Sequence, residues 1–300
     1  MKVLVTGAGG QLGRDLQLAL AGEVPAGGPS ADRRPRRGVE IVGADRQRLP
    51  VTERAVVLAA VEGLRPDVII HSAARTDVDG CEDDPEGAFS TNAMGTRHVA
   101  EAAARFGAHL VYISTDYVFD GTAGRPYREW DEPNPLSVYG ASKLAGEREC
   151  PRSATIVRTA WLAGVHGENA VRRVLRRIYE EAPLRVVDDQ RGSPTFTADL
   201  ALAVSTLALE RLPGAYHVTN GGSATRWELA RAVVSATGHD PARVEPITTG
   251  ELDPVPAARR PADSSLDNAA LRSTGLPALA PWQEALDRFV AALGLGRRGQ

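Results

Sequence analysis

Apolar positions along the chain follow two periods in turn. Short, almost continuous apolar runs, the kind buried on both faces of a parallel sheet, occur at Lys2–Thr6, Glu40–Ala44, Pro66–Ile70, His109–Ile113 and Thr155–Arg158. Segments with helical spacing lie between them: Leu12, Leu16, Ala19 and Leu20; Thr52 to Leu64, with Thr52 as N-cap; a helix opening at the acidic cluster Glu82-Asp83-Asp84-Pro85; and one capped by Ser137. Strand and helix in alternation predict an α/β fold, a Rossmann-like doubly wound parallel sheet with helices on both faces.

From Gly164 the alternation loosens. Helices are expected at Val171–Glu180, Thr197–Leu209, Thr225–Ala236 and near Trp282–Leu293, with strands at Leu184–Val187 and Ala215–Val218. Residues 1–162 read as a dinucleotide-binding domain to which the chain returns around 195–217, and 163–194 with 218–300 as a smaller, mainly C-terminal α/β substrate domain. Two stretches carry no period. Ala21–Gly38, rich in Gly, Pro and Arg, is expected to be a long surface loop, and Pro254–Leu266, with three prolines and the basic pair Arg259-Arg260, a binding loop or surface coil.

The first strand runs straight into Gly7-Ala8-Gly9-Gly10-Gln11-Leu12-Gly13 and then a helix. Glycines at 7, 10 and 13 allow a tight turn, close backbone approach to a pyrophosphate and close helix packing, with the phosphates at the helix N-terminus. Asp45, ending the second strand, is placed to bind the adenosine ribose, which favours NADH; Arg46 suits the extra phosphate of NADPH. The Gly7–Asp45 interval exceeds the usual one of about 20 residues, and the Ala21–Gly38 loop accounts for the excess. His71 reads as a packing or backbone-bonding residue. Asn92 either organises the site or satisfies a neighbouring backbone group.

Chemistry is expected where Ser114-Thr115-Asp116 ends the fourth strand, because open parallel sheets carry their sites at carboxyl edges. Tyr139 and Lys143, four apart on a helix, share one face. Together they suit hydride transfer to a carbonyl. Thr115 would hydrogen-bond the oxygen, Tyr139 would protonate it, and Lys143 would lower the tyrosine pKa while holding the nicotinamide ribose.

Composition narrows this reading only slightly. Among 300 residues, 43% apolar and 24% charged is ordinary for a globular chain, and a net charge of −3 with scattered arginines gives no reason to expect nucleic acid. No run approaches the roughly 18 apolar residues of a membrane span. The start leads into a strand rather than a signal peptide, so a cytoplasmic protein without membrane partners is expected. Cys81 and Cys150 have no ligand-spaced neighbours, so neither a metal nor a disulfide is expected.

With T-G-x-x-G-x-x-G at Thr6–Gly13, H-x-A-A at His71–Ala74 and Y-x-x-x-K at Tyr139–Lys143, the chain resembles the extended short-chain dehydrogenase/reductase superfamily. It more narrowly resembles the dTDP-4-dehydrorhamnose reductase family, through Ser114–Phe119, Val138–Gly140 with Lys143–Glu147, Arg158–Trp161, Asp189–Thr195 and Ala258–Pro261. The resemblance implies reduction of a dTDP-4-keto-6-deoxy sugar by NADPH or NADH, in a monomer or homodimer. It implies cofactor contacts from Gly7, Gly10, Gln11, Leu12, Gly13, Asp45, Arg46, Ala73, Ala74, Tyr139 and Lys143. It implies substrate contacts from Thr76, Asp116, Tyr117, Trp161, Asn169 and Arg259. Sugar-nucleotide 4,6-dehydratases carry Asp-Glu after the threonine; here Tyr117 follows Asp116, which leaves elimination without its base. A 4-epimerase, a reductase of a related 4-keto sugar and a non-catalytic subunit of the same fold remain alternatives. The chain departs from the family at Pro50, Ala163 and Ala170. Asp15 stands where some members use glutamate for Mg2+ at a dimer contact, and the metal is not carried over.

Overall fold

The computed structural model describes residues 1–29 and 38–295. Its first part alternates as the apolar runs require: β1 (Lys2–Thr6), α1 (Gln11–Leu20), β2 (Glu40–Ala44), α2 (Arg54–Leu64), β3 (Val68–His71), α3 (Val78–Asp83), α4 (Pro85–Phe89), α5 (Gly95–Phe106), β4 (His109–Thr115), α6 (Val138–Glu149) and β5 (Thr155–Thr159). Shorter elements follow: β6 (Leu162–Ala163), α7 (Ala170–Tyr179), β7 (Leu184–Val187), β8 (Arg191–Gly192), β9 (Thr195–Phe196), α8 (Thr197–Leu209), β10 (Gly214–His217), β11 (Ala224–Thr225), α9 (Arg226–Ala236), β12 (Val244–Ile247), α10 (Ala269–Ser273) and α11 (Trp282–Ala292).

Six strands form one parallel sheet in the order β10-β5-β4-β3-β1-β2. The period-2 alternation of side chains sorts its residues between two cores. Val3, Val5, Val68, Ile70 and Val111 pack under α1 and α8 with Leu16, Leu200 and Val204, whereas Leu4, Ile69 and Leu110 pack under α2 and α5 with Val57, Val61 and Val99. Strands so enclosed must be apolar on both sides, which is why they read as runs. A separate core lies in the later chain, where Leu175, Ile178, Val233 and Phe289 of α7, α9 and α11 pack with Leu184 and Val244 of the β7-β12 pair.

Local boundaries differ from the sequence reading where turns compete with caps. Thr52 does not cap α2: a turn closed by Glu53 N–H on the Pro50 carbonyl puts Glu53 at the N-cap position, without a side-chain cap bond. The acidic cluster is split, Glu82 and Asp83 ending α3 while Asp84 caps α4 by accepting from Gly87 N at 2.9 Å. One π-helical turn, Ser90–Met94, joins α4 to α5 and carries Asn92. Of the expected Ala21–Gly38 loop, residues 30–37 lie outside the described residues. Asp15 is buried within α1 and accepts from Thr197 Oγ1 at 2.5 Å. Among the described residues no helix is long and apolar enough to cross a membrane.

Candidate active site

A cleft of about 1060 Å³ runs along the carboxyl edge of the sheet, from Asp45 and Arg46 past Gly7–Gly13, Ala73 and Ala74 to Thr115, Tyr139, Trp161 and Asn169. That volume exceeds what one small ligand fills and suits two bound side by side.

The glycine turn builds one end. Gly7 has φ +66°, and a Cβ there would stand 2.8 Å from Ala73 N; a Cβ on Gly13 would overlap the Gly7 carbonyl oxygen. Gly10 holds the N-cap position of α1 without a side chain to cap it, so the first-turn N–H groups face the cleft as an anion site. Thr6 fastens this turn to the end of β3: its Oγ1 lies 2.7 Å from His71 Nδ1 and accepts from Ala73 N at 3.3 Å. His71 is fully buried, and desolvation lowers its pKa to about 3, so it stays neutral. Asp45 and Arg46 are exposed on the cleft rim, and Asp45 Oδ1 accepts from Gln47 N and Arg48 N. The uncapped α1 N-terminus, the glycine cradle and an acid with a base beside it fit a dinucleotide.

The reacting end comes from β4 and α6. Ser137 accepts from Gly140 N at 3.1 Å and opens α6, which puts the half-buried Tyr139 and the buried Lys143 on the face that lines the cleft. Asn92 keeps that helix in place, donating to Ser142 Oγ and to the Arg75 carbonyl while accepting from Arg75 N. Thr115 Oγ1 donates to Asp116 Oδ1 at 3.0 Å and accepts from Tyr117 N. Burial pushes the Tyr139 phenol up from its ordinary pKa, and the nearby Thr115 hydroxyl pulls it only partly back. Lys143 Nζ donates to the Ile113 carbonyl at 2.6 Å, and burial lowers its pKa to about 7. Asp116 is buried too and raised to about 6 by desolvation, against the pull of Ser264 and Thr115.

The far wall belongs to the later chain. Trp161, at φ +45°, has its Nε1 buried without a hydrogen-bond partner among the described residues, and its ring packs so closely on Gly192 that a Cβ would overlap it. Asn169 caps α7 by accepting from Arg172 N and donates to Gln11 Oε1 and the Gly164 carbonyl, both at 2.9 Å. Gln11 also accepts from Gly164 N and donates to the Glu168 carbonyl. The glycine turn is thereby bonded directly to the segment that leads into the second core.

Of the catalytic, cofactor and substrate residues expected from the sequence, all line this cleft except Arg259. Arg259 is exposed, whereas Arg260 turns inward to a bidentate pair with Asp79, at 2.7 and 2.5 Å, beside the Tyr117 phenol. Three arginines given no site role from the sequence also line the cleft, Arg75, paired with Asp84, and Arg173 and Arg226. Arg226 carried one local signal, a cation in the first turn of a helix, where the macrodipole disfavours it.

Comparison with known proteins agrees with this geometry. Residues 1–295 match the family described as RmlD substrate binding domain. The chain is 42% identical over 306 residues to a dTDP-4-dehydrorhamnose reductase of Streptomyces griseus, covering 99% of this chain and 95% of that one. It is 38% identical over 287 residues to a dTDP-4-keto-6-deoxy-D-glucose reductase of Streptomyces niveus, covering 94% of each. A solved dTDP-4-dehydrorhamnose reductase from Bacillus anthracis, in complex with NADP, superposes with a TM-score of 0.87 at 38% identity, covering 97% of this chain and 98% of that one. With its glycine turn, its Thr115-Tyr139-Lys143 set and these matches along nearly its whole length, the chain belongs to the dTDP-4-dehydrorhamnose reductase family.

Proposed function

We propose that this protein reduces the C4 keto group of dTDP-4-dehydro-L-rhamnose to give dTDP-L-rhamnose, using NADPH or NADH. The observation that carries the reading is the half-buried, protonated Tyr139 beside Thr115, in the same cleft as an uncapped glycine turn. The α1 N-terminus and Gly7–Gly13 would hold the cofactor pyrophosphate, Asp45 or Arg46 its adenosine side, and Lys143 its nicotinamide ribose. The bound nicotinamide supplies a hydride to the carbonyl carbon. Thr115 orients the carbonyl oxygen, and Tyr139 Oη gives that oxygen its proton. A phenol held neutral by burial is in the correct state for this step. Trp161 and Tyr117 close the sugar's side of the cleft and exclude water, and Tyr117 in place of a carboxylate removes the base that elimination needs.

Residues 1–162 with 195–217 serve as the cofactor domain and 163–194 with 218–300 as most of the sugar-nucleotide domain, a division supported by the separate core of the later chain. The NADP held by the relative from Bacillus anthracis supports the phosphorylated cofactor and a role for Arg46. A second reading, reduction of a different dTDP-4-keto-6-deoxy sugar, is favoured by the comparable identity to the reductase from Streptomyces niveus. The test is consumption of NADPH and NADH by the purified protein, given dTDP-4-dehydro-L-rhamnose and dTDP-4-keto-6-deoxy-D-glucose separately. A higher kcat/KM for the first supports the proposal; a higher value for the second replaces it with the second reading.

A further inference from the structure

Two arginines on the substrate side of the cleft make no salt bridge among the described residues. Arg226, half-buried at the start of α9, lays its guanidinium over the Trp161 ring at 3.8 Å from the centroid and places Nη2 3.5 Å from the Tyr117 hydroxyl. Arg173, one turn into α7 and exposed at the cleft mouth, is close enough to Arg226 that charge repulsion helps lower its pKa, after desolvation. Among the described residues neither guanidinium makes an ion pair. The nearby acids act on them only without direct contact: Asp116, hydrogen-bonded by Ser264 and Thr115, feels the Arg226 charge, Glu168, paired with Arg176, acts on Arg173, and Asp79 is taken up by Arg260.

Two like charges held near each other cost free energy unless an anion joins them, and guanidinium forks match phosphate oxygens in geometry. Arg226 is placed against the helix macrodipole as well, which adds to that cost in the free protein. Their position relative to the reacting atoms fits one anion in particular. In a pyranose, C1 and C4 are opposite corners of the ring, so a sugar whose C4 meets Tyr139 directs its C1 substituent away from it. Tyr139, Tyr117 and Arg226 are successive neighbours lining the cleft: the two tyrosine rings are edge to face at 5.9 Å, and Arg226 Nη2 is 3.5 Å from the Tyr117 hydroxyl.

We propose that Arg173 and Arg226 together clamp the diphosphate of the sugar-nucleotide substrate, a role that rests on the reductase reading and refines it. Arg226 grips from the Trp161 wall and Arg173 from the mouth. The more obvious basic turn, Arg259-Arg260, is not the clamp, because Arg260 is neutralised by Asp79 and Arg259 is outside the cleft. Trp161 gains a second task as the surface that holds the Arg226 plane in place.

The test uses the full chain with Arg173→Gln, Arg226→Gln and the double substitution, titrated with dTDP, thymidine and NADPH, alongside steady-state kinetics. Each single substitution is expected to weaken dTDP binding about tenfold to a hundredfold, the effect of losing a hydrogen bond to a charged group. The loss is expected in KM more than in kcat and to diminish as salt is raised, with affinity for uncharged thymidine and for NADPH unchanged. Arg173→Gln guards against a trivial result, since it touches neither Trp161 nor a core. Weakening by Arg226→Gln alone, equal weakening of NADPH, or unchanged dTDP affinity each overturns the clamp. If dTDP binding depends on both arginines but no 4-keto sugar is reduced, the clamp stands and the reductase reading fails.

Discussion

Lys143 donates a 2.6 Å hydrogen bond from Nζ to the backbone carbonyl of Ile113, two residues before Thr115. The ammonium also sits 4.1 Å from the centroid of the Tyr112 ring. This contact fixes α6 to β4, so the helix that brings Tyr139 and the strand that brings Thr115 meet at a set distance. Lys143 thus holds α6 in position, while burial, helped by the nearby Asp116 charge, keeps the Tyr139 proton on oxygen.

Tyr139→Phe is therefore expected to remove the proton donor while leaving the ring packing intact. Turnover should fall by about 10² to 10⁴, the usual worth of a positioned acid. NADPH affinity, measured by fluorescence titration, should remain. Retained turnover would mean that another group delivers the proton.

Asp116 makes stability depend on pH in a direction set by its raised pKa. The folded protein holds this proton up to about pH 6, whereas an unfolded Asp releases it near about 4. The folded state thus binds more protons between those values. The stability this gives is fully present below about pH 4 and is lost as pH rises through about 6, on the order of 3 kcal/mol. Asp116→Asn should lack that loss. Urea midpoints for both proteins across this range check it, and parallel curves would show that Asp116 titrates normally.

The buried pair of Arg158 and Glu147, 2.7 Å apart with side chains 7% and 6% exposed, predicts a large structural effect. Glu147 also accepts from Ser114 Oγ, so its removal strands a cation and a hydroxyl together. Glu147→Ala should cost about 3–5 kcal/mol in urea unfolding. A cost below about 1 kcal/mol, typical of an exposed pair, would contradict this.

Gly13→Ala places a Cβ into the Gly7 carbonyl, against backbone that has no rotamer to yield. A loss of about 1–3 kcal/mol in stability is expected from overpacking. NADPH binding should weaken far more than dTDP binding, because the distortion falls on the pyrophosphate turn. Calorimetric titration of each ligand separates the two.

Much of the molecule was legible before its structure because the central strands are buried on both faces, which leaves Val3–Val5 or Val68–Ile70 no polar residue to confuse the pattern. The glycine turn was legible for a steric reason, since Gly7 and Gly13 have no room for a side chain. The cap at Ser137 was local and therefore readable; that at Thr52 was overridden by the turn on Pro50. Side-chain direction was not legible. Nothing in Arg259-Arg260 says which guanidinium finds Asp79, and nothing near Gln11 points to Asn169, 158 residues away. Arg173 looked like part of a solvated helix face, and only the packing of α7 against α9 brings it toward Arg226. Burial too was not legible from spacing: Tyr139 and Lys143 share a face, and desolvation raises the phenol and lowers the ammonium.

The central claim is net hydride transfer to C4 with the proton from Tyr139. It is tested most directly by supplying NADPH deuterated at the transferring position with dTDP-4-dehydro-L-rhamnose and analysing the sugar by NMR. The account predicts deuterium at C4 in the rhamno configuration, one equivalent of cofactor oxidised per sugar, and none of this with Tyr139→Phe. An epimerised sugar without deuterium, or cofactor bound without any product, would contradict it.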